Sequence, residues 1–310
     1  MKIHEAIIDG VRRNPEGIIE RIVSFIREQV KAFNREGAIM GLSGGIDSAL
    51  GAFLTVCALG RENVFFLFLP ERDSSRQSKR DAELVADALK VELKEVNLTP
   101  LLRKIGVYRL EPPAFGIPRR LQERYVLRKY GELQDENETT YLKNLKGGAG
   151  KDELKRGIAY YRIKHRLRMV LWYFYGELSN YLVIGNCNKT EKLTGYFIKY
   201  GDSGSDIDVI SGLYKTQVRE LARYMGIPRR ILEKAPSPDI MPGMTDEYAL
   251  QMKYDRLDGI LYGLEKGMKA EEIKEGTGAG EREIMYVKEL VELSRHMREL
   301  PPSPDLKGLL

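Results

Sequence analysis

"GAIMGLSGGIDSALGAFLTVCAL", residues 37–59, decides how this chain is read. It opens on a short apolar run, turns through two glycines and closes on a longer apolar stretch with helical spacing. That is the first strand–loop–helix step of a parallel α/β unit. A helix N-terminus offers free N–H groups and the positive end of the dipole, so an anion is stabilised there. In the stretch Gly41, Leu42, Ser43, Gly44, Gly45, Ile46, Asp47, Ser48, the glycines let backbone approach phosphate oxygens and the serines add hydroxyls. Asp47 sharpens the reading. A carboxylate beside a phosphate needs a cation between them, and Mg²⁺ favours that mixture of carboxylate, phosphate and water. The loop has no lysine, so it is not a Walker A sequence, nor is it GxGxxG. A glycine pair here is also ordinary punctuation, so the loop alone favours a phosphate without proving one.

Working outward, residues 15–34 form an amphipathic helical pattern. "NVFFLFLP" (63–70) is a second apolar strand, followed by a helix opened by serines. "VELKEVNL" (91–98) is a third strand and "YLVIG" (181–185) a fourth. Continuous apolar strands alternating with helices predict a parallel sheet covered on both faces. From 106 to 150 the regularity lapses into a basic, partly mobile excursion. From Asp152 to Leu178 a long helix is expected, with Ile163, Leu167, Val170 and Leu171 on its apolar side. "GDSGSDID" (201–208) reads as a flexible acidic loop, 245–300 as mainly helical and the end as a tail.

The chain has 310 residues, 43% hydrophobic, a net charge of +5 and two cysteines, Cys57 and Cys187. It is long enough for one large domain. No apolar run reaches membrane-span length and the N-terminus lacks a signal-peptide core. Two cysteines without a CxxC pair fit a reducing, cytoplasmic setting. The excess of Lys and Arg over Asp and Glu within 101–160 equals the whole net charge. No nucleic-acid signature accompanies it, so a nucleic-acid partner is not expected.

Several stretches together resemble a family. "SGGIDS" is similar to the SGGxDS signature of the ATP pyrophosphatases. With "LPERDSS", "HRLRM", "NKTEKLTGYFIKYGDSGSDI", "LYKTQVRELARYMGIP", "EKAPSPDIMPGMTDE" and "RHMRELPPSP", the chain resembles ammonia-dependent NAD synthetase over residues 15 to 300. The resemblance implies a single domain, 1–310, without a glutaminase domain. Its expected fold is a doubly wound, five-stranded parallel sheet, Rossmann-like, with helices on both faces. The implied reaction activates the carboxylate of deamido-NAD with ATP as an acyl adenylate, releasing pyrophosphate. Ammonia then displaces AMP. The resemblance makes Asp47 and Glu191 the Mg²⁺ carboxylates and Asp47, Glu191, Lys215 and Asp206 the catalytic set. Arg72, Asn186, Lys215 and Ser237 join the 41–48 loop around ATP. Arg166, Lys199, Asp206, His296 and Met297 meet the dinucleotide. A homodimer is also implied, with the N-terminal and the 152–178 helices as interface candidates.

Departures from the family pattern cluster on the dinucleotide side. "GNCNK" stands for GTGNK, placing Asn186 and Cys187 where threonine and glycine are usual. "YRIKHR" stands for GNIKAR, with Tyr161, Arg162 and His165 as larger or more basic residues. "GDSGSD" keeps both aspartates of GDGGAD. Met297 follows His296 where lysine is usual, Met241 takes an aromatic position and Met244 that of a glutamine. These leave a second expectation, a divergent ATP pyrophosphatase acting on another carboxylate. A weaker one is a tRNA-modifying sulfur transferase using Cys187.

Overall fold

The computed structural model describes residues 2–111, 117–135, 138–148, 152–239 and 241–305. In chain order, α1 (Lys2–Arg13) and α2 (Pro15–Ala32) precede β1 (Gly37–Gly41), α3 (Ile46–Leu59), β2 (Val64–Phe68), α4 (Arg76–Leu89) and β3 (Leu93–Glu95). There follow α5 (Thr99–Lys104), α6 (Arg119–Glu132), α7 (Thr140–Leu145), α8 (Asp152–Ser179), β4 (Tyr181–Gly185), α9 (Lys189–Thr194), β5 (Ile207–Asp208) and α10 (Lys215–Tyr224). The chain ends in α11 (Arg229–Leu232), α12 (Asp246–Leu250), α13 (Tyr254–Glu265), α14 (Ala270–Thr277), α15 (Glu281–Leu293) and α16 (Arg295–Arg298).

The five strands form one parallel sheet in the order β3-β2-β1-β4-β5. Strand direction of growth reverses between β1 and β4, so the loops that leave them diverge and open a crevice at their carboxyl ends. Alternate residues divide the core. Ala38, Met40, Phe66, Leu182 and Ile184 pack with α2, α3, α4 and α10 on one face. Ile39, Leu67 and Val183 pack with α5 and α8 on the other. Both faces are covered, which is why these strands are apolar at every position. Helix α2 is set by its first turn: Asn14 Oδ1 accepts from Gly17 N at 3.1 Å and Pro15 follows, a good cap and a good first residue. A second core lies beside the sheet. Ile3 and Ile7 of α1 pack there with α7, α13, α14 and α15 around Leu257 and Val287.

The expected five-stranded doubly wound sheet is therefore present, with adjustments. The third strand shrinks to Leu93–Glu95. The fifth emerges inside "GDSGSDID", which is no loose loop: Asp202 Oδ1 accepts from Ile198 N at 2.6 Å and Ser203 Oγ donates to Ile198 O at 3.1 Å. On α8, Ile163, Leu167 and Leu171 face the core as expected. Val170 does not; it is 52% exposed, because the apolar stripe continues through Trp172 and Tyr175 instead. The excursion folds, in its described parts, into α6 and α7. Tyr130 of α6 packs against Met244 and Ala249, and Tyr141 and Leu142 of α7 enter the second core. Residues 112–116, 136–137 and 149–150 of that excursion, and 306–310 of the expected tail, lie outside the described residues.

Candidate active site

The loop after β1 is shaped by its own side chains. Ser43 and Ser48 hydroxyls lie 3.0 Å apart, Gly45 N donates to Ser43 Oγ at 3.2 Å, and Ser48 Oγ donates to Gly45 O at 3.0 Å. Gly44 has φ +74°, and a Cβ there would come within 2.7 Å of Ser78 O, so both conformation and space demand glycine. Gly45 caps α3 without any side-chain hydrogen bond, so the helix N-terminus is left for an anion.

Asp47 opens α3 and faces the residues that follow β4. Asn188 Nδ2 donates to Asp47 Oδ1 at 2.8 Å. Asn188 and Glu191 form a capping box: Glu191 N donates to Asn188 Oδ1 at 3.0 Å, and Asn188 N donates to Glu191 Oε2 at 3.1 Å. The N-x-x-E spacing that starts α9 thus aims the other oxygen of Glu191 inward. Lys215, the first residue of α10, brings its ammonium to Asp47 at 2.5 Å, Glu191 at 3.3 Å and Asp246 at 4.0 Å. Its side chain is only 2% exposed. Burial works against the Lys215 charge, but the three carboxylates outweigh it and lift its pKa above the ordinary range. Burial pushes the Glu191 carboxyl upward; Lys215 pulls it back and Asp47 and Asp246 push further. Asp246 is raised in the same way, and its Oδ1 is buried with no hydrogen-bond partner among the described residues.

Behind this cluster stands Asp258 of α13, fully buried. It accepts from Thr190 Oγ1 at 2.5 Å and from Thr216 N at 2.8 Å, while Lys215 N donates to Thr190 Oγ1 at 2.9 Å. One carboxylate thereby ties the start of α9, which carries Glu191, to the start of α10, which carries Lys215.

Asp47, Glu191, Lys215 and Asp246 line a cavity of about 430 Å³. The residues of the 41–48 loop except Gly44 reach its wall, with Asn186, Glu191, Lys215 and Ser237. Leu67, Phe68, Leu69, Trp172 and Ile184 supply an apolar slot. Asn186 Oδ1 is buried without a partner among the described residues. Ser237 Oγ donates to Met244 O at 2.7 Å and braces the 235–245 loop. His165, Asp202 and Cys187 form another part of the wall. Burial, then Arg168 and Lys164, hold His165 well below the usual histidine value. Burial pushes Asp202 up to about 6.

Other sequence-picked residues lie elsewhere. Arg72 bonds Asp73 at 3.0 Å and Tyr160 OH at 2.6 Å, within a buried network around Lys164, and is not part of the cavity wall. Asp206 accepts from Tyr173 OH at 3.1 Å and Val183 N at 2.8 Å, latching β5 to β4. Arg166, Lys199 and His296 do come together, in a separate patch. Arg166 Nε donates to Lys199 O at 3.4 Å, and Lys199 Nζ donates to His296 O at 2.7 Å and Glu299 O at 3.1 Å. Met297 sits half-buried beside them on α16.

The NAD synthase family matches residues 18–114 and 131–301. The NH(3)-dependent NAD(+) synthetase of Thermotoga neapolitana is 46% identical over 91% of this chain and 94% of its own length. That of Methanocaldococcus jannaschii is 35% identical over 94% and 97%. The chain belongs to the NAD synthase family. Among solved structures, the NMN synthetase of Francisella tularensis shares 25% identity with a TM-score of 0.68, covering 94% of this chain and 98% of that one. The NH3-dependent NAD synthetase of Campylobacter jejuni shares 26% with a TM-score of 0.64, covering 94% and 99%. The break in the family match, 115–130, is narrower than the excursion read from sequence and falls largely on α6.

Against the NAD synthase framework, four site residues escaped the sequence reading. Asp246 lay inside a quoted stretch, "EKAPSPDIMPGMTDE", without a role of its own. Asp258 had no local signal, and Asp202 was marked as a retained aspartate of GDSGSD but given no role. Arg119 of α6 lines the cavity and donates to Asp73 O at 2.6 Å, and nothing in a basic run tells one arginine from its neighbours.

Proposed function

We propose that this chain makes NAD from deamido-NAD, ATP and ammonia in two steps at this cavity. The observation that carries the reading is the meeting of Asp47, Glu191 and Lys215 beside the uncapped SGGIDS loop at the β1/β4 reversal. An oxygen of the nicotinate carboxylate attacks the α-phosphorus as the bond to the β-phosphate oxygen breaks, and pyrophosphate leaves with the electron pair. Ammonia then attacks the acyl carbon, AMP departs and a proton is lost to solvent. Placement and charge neutralisation carry such phosphoryl chemistry. The loop amides and the Ser43 and Ser48 hydroxyls hold the phosphates. The slot of Leu67, Phe68 and Leu69 takes the adenine. Lys215 neutralises charge at the phosphates, and Asp258 keeps Lys215 and Glu191 in register.

Mg²⁺ fits the donor set. Three carboxylates against one ammonium leave a buried negative charge, and Asp246 offers an unused oxygen. Among the described residues no three acidic, His or Cys groups are arranged to hold a metal by themselves, so phosphate and water would complete the shell, as Mg²⁺ prefers. Bound there, the ion would supply charge stabilisation at the phosphates. The Arg166–Lys199–His296 patch, with Met297, is assigned to the acidic dinucleotide. Asp206 supports it by fixing β5. Cys187 is buried, and burial pushes its thiol up, the reverse of what a sulfur-transfer nucleophile needs. Among the described residues no helix is long and apolar enough to cross a membrane, and both thiols are free, in keeping with a cytoplasmic setting.

Incubation with ATP, Mg²⁺, ammonia and deamido-NAD should yield NAD and AMP together. Nicotinate mononucleotide in parallel tests whether a shorter pyridine carboxylate is also amidated. A protein that binds ATP yet forms no NAD overturns the reading.

A homodimer is part of the proposal. Val170, Phe174 and Leu178 lie at i, i+4 and i+8 on α8 and are 52%, 52% and 68% exposed, an apolar stripe on a helix otherwise packed on the sheet. Phe174→Glu should convert a dimer into a monomer by light scattering without altering the far-ultraviolet spectrum. An unchanged mass would remove α8 from the interface.

A further inference from the structure

We propose that Lys234 grips the leaving pyrophosphate from the far side of the SGGIDS loop, supplying the cation that this loop lacks in its own sequence. The inference rests on the reaction proposed above. Lys234 follows α11, far along the chain from the loop it meets. Its Nζ donates to Gly44 O at 3.2 Å and pairs with Asp81 Oδ2 at 2.9 Å. An ammonium has three donors. The Gly44 hydrogen bond uses one of them and the Asp81 contact is an ion pair; the side chain is 26% exposed, and it lines the same cavity as Ser43, Gly45 and Asp47.

Charge makes the placement informative. Asp81 is 1% exposed and is also bonded by Arg230 Nε at 2.9 Å. Two cations on one carboxylate leave this flank of the loop positive. The opposite flank, where Lys215 faces three carboxylates, is negative and suits a divalent cation. A triphosphate laid along the loop thus meets the metal side at one end and Lys234 at the other. When the bond between the α-phosphorus and the bridging oxygen breaks, charge gathers on the departing pyrophosphate. A fixed ammonium there stabilises that change more than it stabilises the intact substrate. A purely structural Lys234 would be a brace between the 233–239 segment and α4, a role Arg230 shares while standing outside the cavity wall.

Calorimetric titration separates the two roles. Wild type, Lys234→Met and Arg230→Met are titrated with Mg²⁺-pyrophosphate, Mg²⁺-ATP and AMP. Lys234→Met should weaken pyrophosphate and ATP by about 10- to 100-fold, the loss of one charged hydrogen bond, and leave AMP within about twofold. Arg230→Met should leave all three unchanged. Wild-type affinity for pyrophosphate in Lys234→Met, or equal losses in both variants, overturns the inference while leaving the reaction intact. A wild-type protein that binds neither ATP nor pyrophosphate overturns the reaction and the inference together. Should Lys234→Met fail to fold, amine labelling of wild type read by mass spectrometry decides. Saturating Mg²⁺-pyrophosphate should protect Lys234 and AMP should not; unprotected Lys234 overturns the inference.

Discussion

Lys215→Met is expected to lower folding stability by about 3–5 kcal/mol near pH 8, the range for removing one partner from a buried ion pair. The side chain is 2% exposed and is the cation facing Asp47, Glu191 and Asp246. Methionine fills much of its volume, so the loss is electrostatic. Glu191 and Asp246 are already held above the ordinary carboxylate range by burial, and without the ammonium they rise further. Their folded pKa values then exceed the unfolded ones, the folded state binds more protons, and stability falls as pH rises through that window. The deficit should therefore shrink as pH drops from 8 towards 5. Millimolar Mg²⁺ should recover part of it, by binding the folded state. Denaturant unfolding of both proteins across pH, with and without Mg²⁺, checks this. A variant as stable as wild type at pH 8 would mean the three carboxylates do not depend on Lys215.

Glu191→Gln carries the opposite signature. Glutamine also serves at the third position of a capping box, so the start of α9 should survive. One surplus buried negative charge is removed, and stability should hold or rise. Turnover should nevertheless fall by about 100- to 1,000-fold, the usual cost of losing one preorganised electrostatic group. Steady-state rates at saturating ATP, beside a thermal melt, give both readings. Turnover within about threefold of wild type would take Glu191 out of the reacting centre. The pair of results separates a residue that holds the site together from one that the site is strained to keep.

Legibility followed burial pattern. β1, β2 and β4 are apolar at each position because helices cover both sheet faces, and continuous runs of this kind stand out from the rest of the chain. β5 has two residues inside a glycine- and aspartate-rich segment, and its pairing with β4 depends on the Asp206 latch, a tertiary contact. Val170 showed the same limit: α8 is 28 residues long, and only its contact with the sheet tells which stripe is buried.

By itself the sequence determined the βα order, the lysine-free SGGIDS loop, the family and the residue types of the centre, because each is written in neighbouring positions. The tertiary structure decided which of those residues meet. It joined Asp47 to Lys215, added Asp246 and Asp258, led Lys234 to the loop, and gathered Arg166, Lys199 and His296 in a patch apart from the cavity wall. Parallel strands bring chain-distant loops to one sheet edge, so partners chosen across that edge leave no periodic trace in the chain.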